Sequence, residues 1–139
     1  MQVREIMTPA VETVTPQETI RDAAVKMRTL DVGSLPVCDG ERILGMLTDR
    51  DIAIRSVAEG QDPDETAVEK VMTRDIEYCL EDQDVDDAAA VMQKAQIRRL
   101  PVVNREKRLV GILALGDIAT CKGEEATTLE TIREVSQPH

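Results

Sequence analysis

Tryptophan and phenylalanine are missing from this chain of 139 residues, and tyrosine occurs once, as Tyr78. A core without rings must be packed from Val, Ile, Leu, Met and Ala, which suits thin layers of helix and sheet better than pockets walled by aromatics. Basic residues are also scarce. Seventeen Lys and Arg face 27 Asp and Glu, leaving a formal charge of −10, and no basic run exceeds two residues. That balance offers little to a phosphate backbone, which is bound through counterion release by a basic face. No nucleic acid is expected as a partner. A single histidine, His139, leaves almost nothing for a Ser-His or Cys-His nucleophile, and there is no glycine-rich phosphate loop. No catalytic residues are therefore assigned. Long apolar runs are absent too: nothing approaches the ~20 residues of a membrane span. The opening "MQVREIMTP" carries charges where a secretory signal needs an apolar stretch. No membrane partner is expected, and the expected location is cytoplasmic.

Cys38, Cys79 and Cys121 are far apart, with no CxxC pair. A structural zinc site draws four ligands at close spacing, so no metal is assigned and buried, inert thiols are the preferred reading. A redox-linked disulfide stays open, because separation in sequence says nothing about separation in space. The acidic run "EDQDVDD" at 81–87 lacks the glycine and the spacing of a calcium-binding loop, and reads as a solvated helix start.

What the chain does have is a repeat. Met7-Thr8 returns as Met72-Thr73, an offset of 72 − 7 = 65. The same offset carries Asp22-Ala23-Ala24 to Asp87-Ala88-Ala89, Met27 to Met92, and Leu35-Pro36-Val37 to Leu100-Pro101-Val102. One inserted residue later, Gly45 maps to Gly111 and Asp51 to Asp117, so "GMLTDRDI" is answered by "GILALGDI". Chance does not hold a register across four separated blocks. The division implied is 1–60, 61–125 and a tail at 126–139. Leu129, Ile132 and Val135 in that tail step by three residues, as a short covering helix would.

Each copy reads in the same order. A short apolar stretch (11–14; 76–80) precedes a helix whose start is marked by Thr19 with Asp22, or by Asp84 with Asp87. Ile20, Ala23, Ala24 and Met27 keep one-sided helical spacing, as do Val85, Ala88, Ala89 and Met92. Two strands follow, "SLPVC" and "RILGML" in one copy, "RLPVV" and "RLVGIL" in the other. Their prolines suit an edge or first strand position. Asp39-Gly40 signals a tight hairpin, and residues 104–107 a longer one. A second helix opens near Asp49 and near Leu115. One β-α-β-β-α unit of this size could hardly bury enough apolar area alone, whereas two packed sheet to sheet could.

The residues "IMTPAVETVTP", "VGSLPVCDGERILGMLTDRDI" and their second-copy counterparts resemble the CBS domain. Over about residues 2–122 the chain is similar to a stand-alone bacterial CBS-domain pair, or Bateman module, of the hypoxic-response type. The resemblance implies an α+β fold of two β-α-β-β-α repeats with pseudo-two-fold symmetry. It also implies a homodimer acting as a non-catalytic sensor on an unknown regulated protein. The implied ligand is an adenosine-containing small molecule (AMP, ADP, ATP or S-adenosylmethionine) held in a cleft between the repeats, with no cofactor required.

In that family the motif of glycine, two apolar residues, Ser/Thr, two variable residues and Asp contacts the nucleotide. Carried over, it makes Thr48, Asp51 and Asp117 ribose or phosphate contacts, with Ala114 standing where a second hydroxyl is expected. Arg98 and Arg99 take positions where such repeats often hold basic residues facing phosphates, whereas the first copy has Gly33 and Ser34. Val14, Pro36, Ile76, Tyr78 and Pro101 are weaker candidates for contacts to the base. Plainer readings stand beside these. Thr48 and Asp51 also make a helix cap, the arginines also suit surface ion pairs with the plentiful acids, and Tyr78 is favoured as core beside Ile76. A ligand-free structural or redox-responsive adaptor is the alternative to a sensor. The charge of −10 and Asp49 beside the motif favour AMP or a net-neutral adenosyl ligand over ATP, and the two copies are expected to bind unequally.

Overall fold

The computed structural model describes residues 1–9 and 11–121. The tail helix expected at 126–139 lies outside the described residues. Two compact units are present: residues 12–76 form the first, and residues 1–11 with the chain from Glu77 onward form the second. The opening segment of the first sequence copy thus belongs to the unit that carries the second.

The second unit holds a four-stranded sheet. Its strands are β1 (Thr8–Pro9), β4 (Cys79–Leu80), β5 (Arg99–Val103) and β6 (Leu109–Ala114), in the order β1-β6-β5-β4. β5 pairs antiparallel with β6 and parallel with β4, and Thr8 of β1 stands opposite Ile112. In the first unit β2 (Ser34–Asp39) and β3 (Arg42–Thr48) form the central hairpin. Single bridges take the outer places there: Thr73 pairs antiparallel with Met46, and Val14 parallel with Val37. With the offset applied, these are the places of β1 and β4. The apolar stretches at 11–14 and 76–80 therefore contribute much less strand than expected. The added outer segments come from Met7-Thr8 and Met72-Thr73.

The helices follow their caps. Helix α1 (Ile20–Leu30) starts on a reciprocal pair, with the Thr19 hydroxyl accepting the Asp22 N–H at 3.1 Å while Asp22 accepts the Thr19 N–H at 3.4 Å. In α3 (Val85–Ala95) Asp84 is the cap as expected, but its carboxylate takes the N–H of Asp86, at 2.9 Å, rather than that of Asp87. Both helices end on a residue with left-handed backbone, Asp31 and Gln96. Their apolar faces pack on one side of each sheet. Ile20, Ala23 and Met27 meet Leu35, Val37 and Leu47. Val85, Ala88, Ala89 and Met92 meet Leu100, Val102 and Leu113. Each such Leu or Val removed from water stabilises by about 1.5–3 kcal/mol, so these all-aliphatic layers suffice for a small unit.

The prolines depart from the edge positions expected of them. Pro36 and Pro101 lie in central strands, but the parallel neighbour begins only one residue later, at Val37 and Val102. The N–H that proline lacks is not missed there. The turns are made as read: Gly40 adopts φ 62° between β2 and β3, while Asn104 Oδ1 accepts the N–H groups of Glu106 and Arg108 between β5 and β6.

Candidate functional site

Both copies of the repeated motif run from the end of a strand into a short helix. In the first unit β3 leads into α2 (Asp49–Ile52), which continues as a π-helical turn over Ala53–Val57. Thr48 is the cap: its hydroxyl accepts the Asp51 N–H at 3.1 Å, and Asp51 accepts the Thr48 N–H at 3.0 Å. Asp51 is only 9% exposed. Its carboxylate also accepts the hydroxyl of Thr73, at 3.2 Å from Oδ1 and 3.4 Å from Oδ2. Arg55, one turn along the helix, brings Nε to 4.0 Å from Oδ1, and its Nη1 donates to the carbonyls of Val71 and Met72. Neither Thr73 nor Arg55 was singled out by the sequence, although the repeated Met-Thr and the i, i+4 spacing from Asp51 were both visible.

In the second unit β6 leads into α4 (Leu115–Ala119). Asp117 accepts the Ala114 N–H at 2.8 Å, so the acidic half of the cap survives without a hydroxyl. Among the described residues no side chain bonds to the Asp117 carboxylate, which is partly exposed. The basic pair is anchored at the same place. Arg99 is the strand partner of Ala114, and the Arg98 carbonyl accepts the Leu115 N–H at 2.8 Å. Both arginines are exposed, and among the described residues neither is in an ion pair.

The first unit repeats this backbone with opposite charge. Ser34 is the strand partner of Thr48, and the Gly33 carbonyl accepts the Asp49 N–H at 2.9 Å. A β-carbon on Gly33 would stand 3.1 Å from Asp49 Oδ2, so an acid crowds the place that Arg98 holds in the other unit.

The weaker candidates separate. Val14 is fully buried in the helix-side core of the first unit. Pro36 and Pro101 are buried inside their strands, and Ile76 is partly buried. Tyr78 is 41% exposed just ahead of β4, so it does not fill core as favoured.

All three cysteines are free and buried. Burial pushes the Cys38 thiol up to about 11 and the Cys79 thiol up to about 12. Cys121 Sγ lies 3.1 Å from the sulfur of Met1. Among the described residues no three Cys, His, Asp or Glu side chains gather as a metal site, and no helix is long and apolar enough to cross a membrane.

The CBS domain family model matches residues 3–57 and again 68–123, most of the chain. This chain belongs to the CBS-domain family. As a CBS pair it is 44% identical over 117 residues to the CBS domain-containing protein YhcV of Bacillus subtilis, covering 84% of this chain and 82% of that one. It is 38% identical over 136 residues to Hypoxic response protein 1 of Mycobacterium tuberculosis, covering 97% and 94%. Among solved structures, the crystal structure of Hypoxic Response Protein I with two coordinated zinc ions superposes with a TM-score of 0.79 at 40% identity, covering 86% of this chain and 97% of the other. The CBS domain pair of protein MJ0100, in complex with 5′-methylthioadenosine and S-adenosyl-L-methionine, gives 0.74 at 30% identity, covering 86% and 97%. The resemblance to the hypoxic-response type and the tandem α+β fold are thus both found.

Proposed function

We propose that this CBS pair is a regulatory module that binds an adenosine-containing ligand through its second unit, with 5′-AMP as the preferred member of that class. One observation carries the reading. Asp117, Arg98 and Arg99 are all anchored around Ala114, giving an anionic acceptor and two exposed cations, in no ion pair among the described residues, at the end of one hairpin. An ionised carboxylate is a strong acceptor for the two hydroxyls of a ribose, and guanidinium groups suit phosphate oxygens. A nucleoside 5′-monophosphate offers both. The adenosyl ligands of the MJ0100 pair support the class. The excess of acid over base in the chain, −10 overall, favours a ligand of low charge over a polyphosphate.

Cys38 and Cys79 offer little support to the alternative of a redox-responsive adaptor. A thiol held up at about 11 or 12 carries almost no thiolate at neutral pH, and thiolate is the reactive form.

Calorimetry of the full chain with AMP and with adenosine tests the proposal. AMP is expected to bind more tightly than adenosine, and Arg99→Ala to remove that advantage while sparing adenosine. Binding of neither compound, or an Arg99→Ala variant that keeps the full preference for AMP, would overturn it.

A further inference from the structure

Two copies of one motif invite the conclusion that two equivalent aspartates await a ligand. We infer instead that Asp51 is a latch. Its carboxylate is committed to holding residues 71–73 against β3 within the first unit, leaving Asp117 as the acceptor for a ligand diol. The second half of this inference rests on the adenosyl-binding reading above; the first half does not.

The backbone at the two places is the same, and the side chains are not. In the first unit Thr73 exchanges both main-chain hydrogen bonds with Met46, at 2.8 and 2.9 Å. In the second, Thr8 stands opposite Ile112 in the corresponding register. Over that shared frame, among the described residues only the first unit adds a side-chain clasp. The Thr73 hydroxyl donates to Asp51, and Arg55 spans from Asp51 to the carbonyls of Val71 and Met72. Thr8 makes no such bond to Asp117, and the residue one turn beyond Asp117 is Cys121, whose thiol offers no cation. A carboxylate has about four lone-pair sites. Asp51 accepts the Thr48 N–H and the Thr73 hydroxyl, has the Arg55 guanidinium 4.0 Å away, and is nearly buried. A diol arriving there must displace Thr73. At Asp117 nothing among the described residues has to move.

The motif residue that looks most complete in sequence, with its hydroxyl at Thr48, is therefore the one already occupied. The copy with the plain Ala114 cap keeps its acid available.

Two measurements on the full chain separate the halves of the inference. In urea unfolding, a double-mutant cycle of Asp51→Asn with Thr73→Val is expected to show coupling of at least threefold in the unfolding constant, and Asp117→Asn with Thr8→Val none. Equal coupling in both cycles, or none in either, overturns the latch whatever the chain binds. In calorimetry with AMP, Asp117→Asn is expected to weaken binding at least tenfold with an almost unchanged unfolding midpoint. Thr73→Val, the milder variant, and Asp51→Asn are expected to lower the midpoint while leaving affinity within threefold. An Asp51→Asn loss matching that of Asp117→Asn overturns the assignment of the acceptor. If the wild-type chain binds no AMP, the proposed function fails and the latch is decided by the cycles alone.

Discussion

The carbonyl oxygen of Thr73 occupies the space that a β-carbon on Gly45 would need. The glycine that opens the repeated motif is thus a point of close backbone approach, where the strand-like segment around Thr73 lies across β3. Gly111 serves the same purpose, with a β-carbon there standing 2.6 Å from the Met7 sulfur and 2.8 Å from the Thr8 carbonyl oxygen.

Alanine substitutions are expected to separate packing glycines from incidental ones. Gly45→Ala drives a methyl group into main chain that cannot swing aside, at a cost of about 1–3 kcal/mol. Gly116→Ala meets nothing within 4 Å in α4 and is expected to be neutral or to stabilise by up to about 1 kcal/mol. Urea midpoints of the two variants check this, and a Gly45→Ala protein as stable as wild type would contradict the close approach.

The buried thiols predict a pH dependence. Cys38 and Cys79 have folded-state pKa values raised from 9.0 to about 11 and about 12 by burial. Folding therefore favours the neutral thiol: their contribution to stability is fully present below pH 9 and is lost as pH rises through the folded values. Thermal midpoints are expected to fall between pH 9 and 11, and less so in a Cys38→Ala, Cys79→Ala double variant. At pH 8 iodoacetamide is expected to leave both thiols of the native chain unmodified until urea exposes them, as mass spectrometry would read out.

The first unit presents exposed aliphatics on two helices, Val25 and Leu30 on α1 and Ile54 and Val57 on the π-helical turn. At the corresponding positions of the second copy stand Ala90, Ala95, Thr120 and Gly123. Exposed aliphatics mark an interface where they gather on one face. Sedimentation at micromolar concentration is expected to give twice the 15.4 kDa chain mass, and Val25→Asp with Ile54→Asp to shift the chain toward monomer. Unchanged sedimentation of that double variant would place the interface elsewhere.

The caps are also testable. Thr19→Ala removes the oxygen that takes the Asp22 N–H and is expected to cost about 1 kcal/mol, read as a lower urea midpoint.

Much of this architecture is written locally. The helical spacing of Ile20, Ala23 and Met27, the Thr19 cap and the Asp39-Gly40 turn each involve residues within two turns or one hairpin of each other, so the amino-acid order alone specifies them. The exchange of opening segments is different. Thr8 and Thr73 sit in near-identical surroundings, and both Gly45 and Gly111 lack the side chain that would bar them, so local sequence leaves either pairing open. Only the folded chain decides that Thr8 lies opposite Ile112 and Thr73 opposite Met46. The unequal aspartates follow from that decision. In sequence, Thr48 completes the motif of the first copy and Ala114 leaves that of the second without its hydroxyl. Yet what bonds to Asp51 is a hydroxyl 22 residues further along, whereas Thr8, more than 100 residues before Asp117, makes no matching bond to it. Hydrogen bonds between residues so far apart in sequence depend on where the chain has already been placed, and no local pattern encodes that.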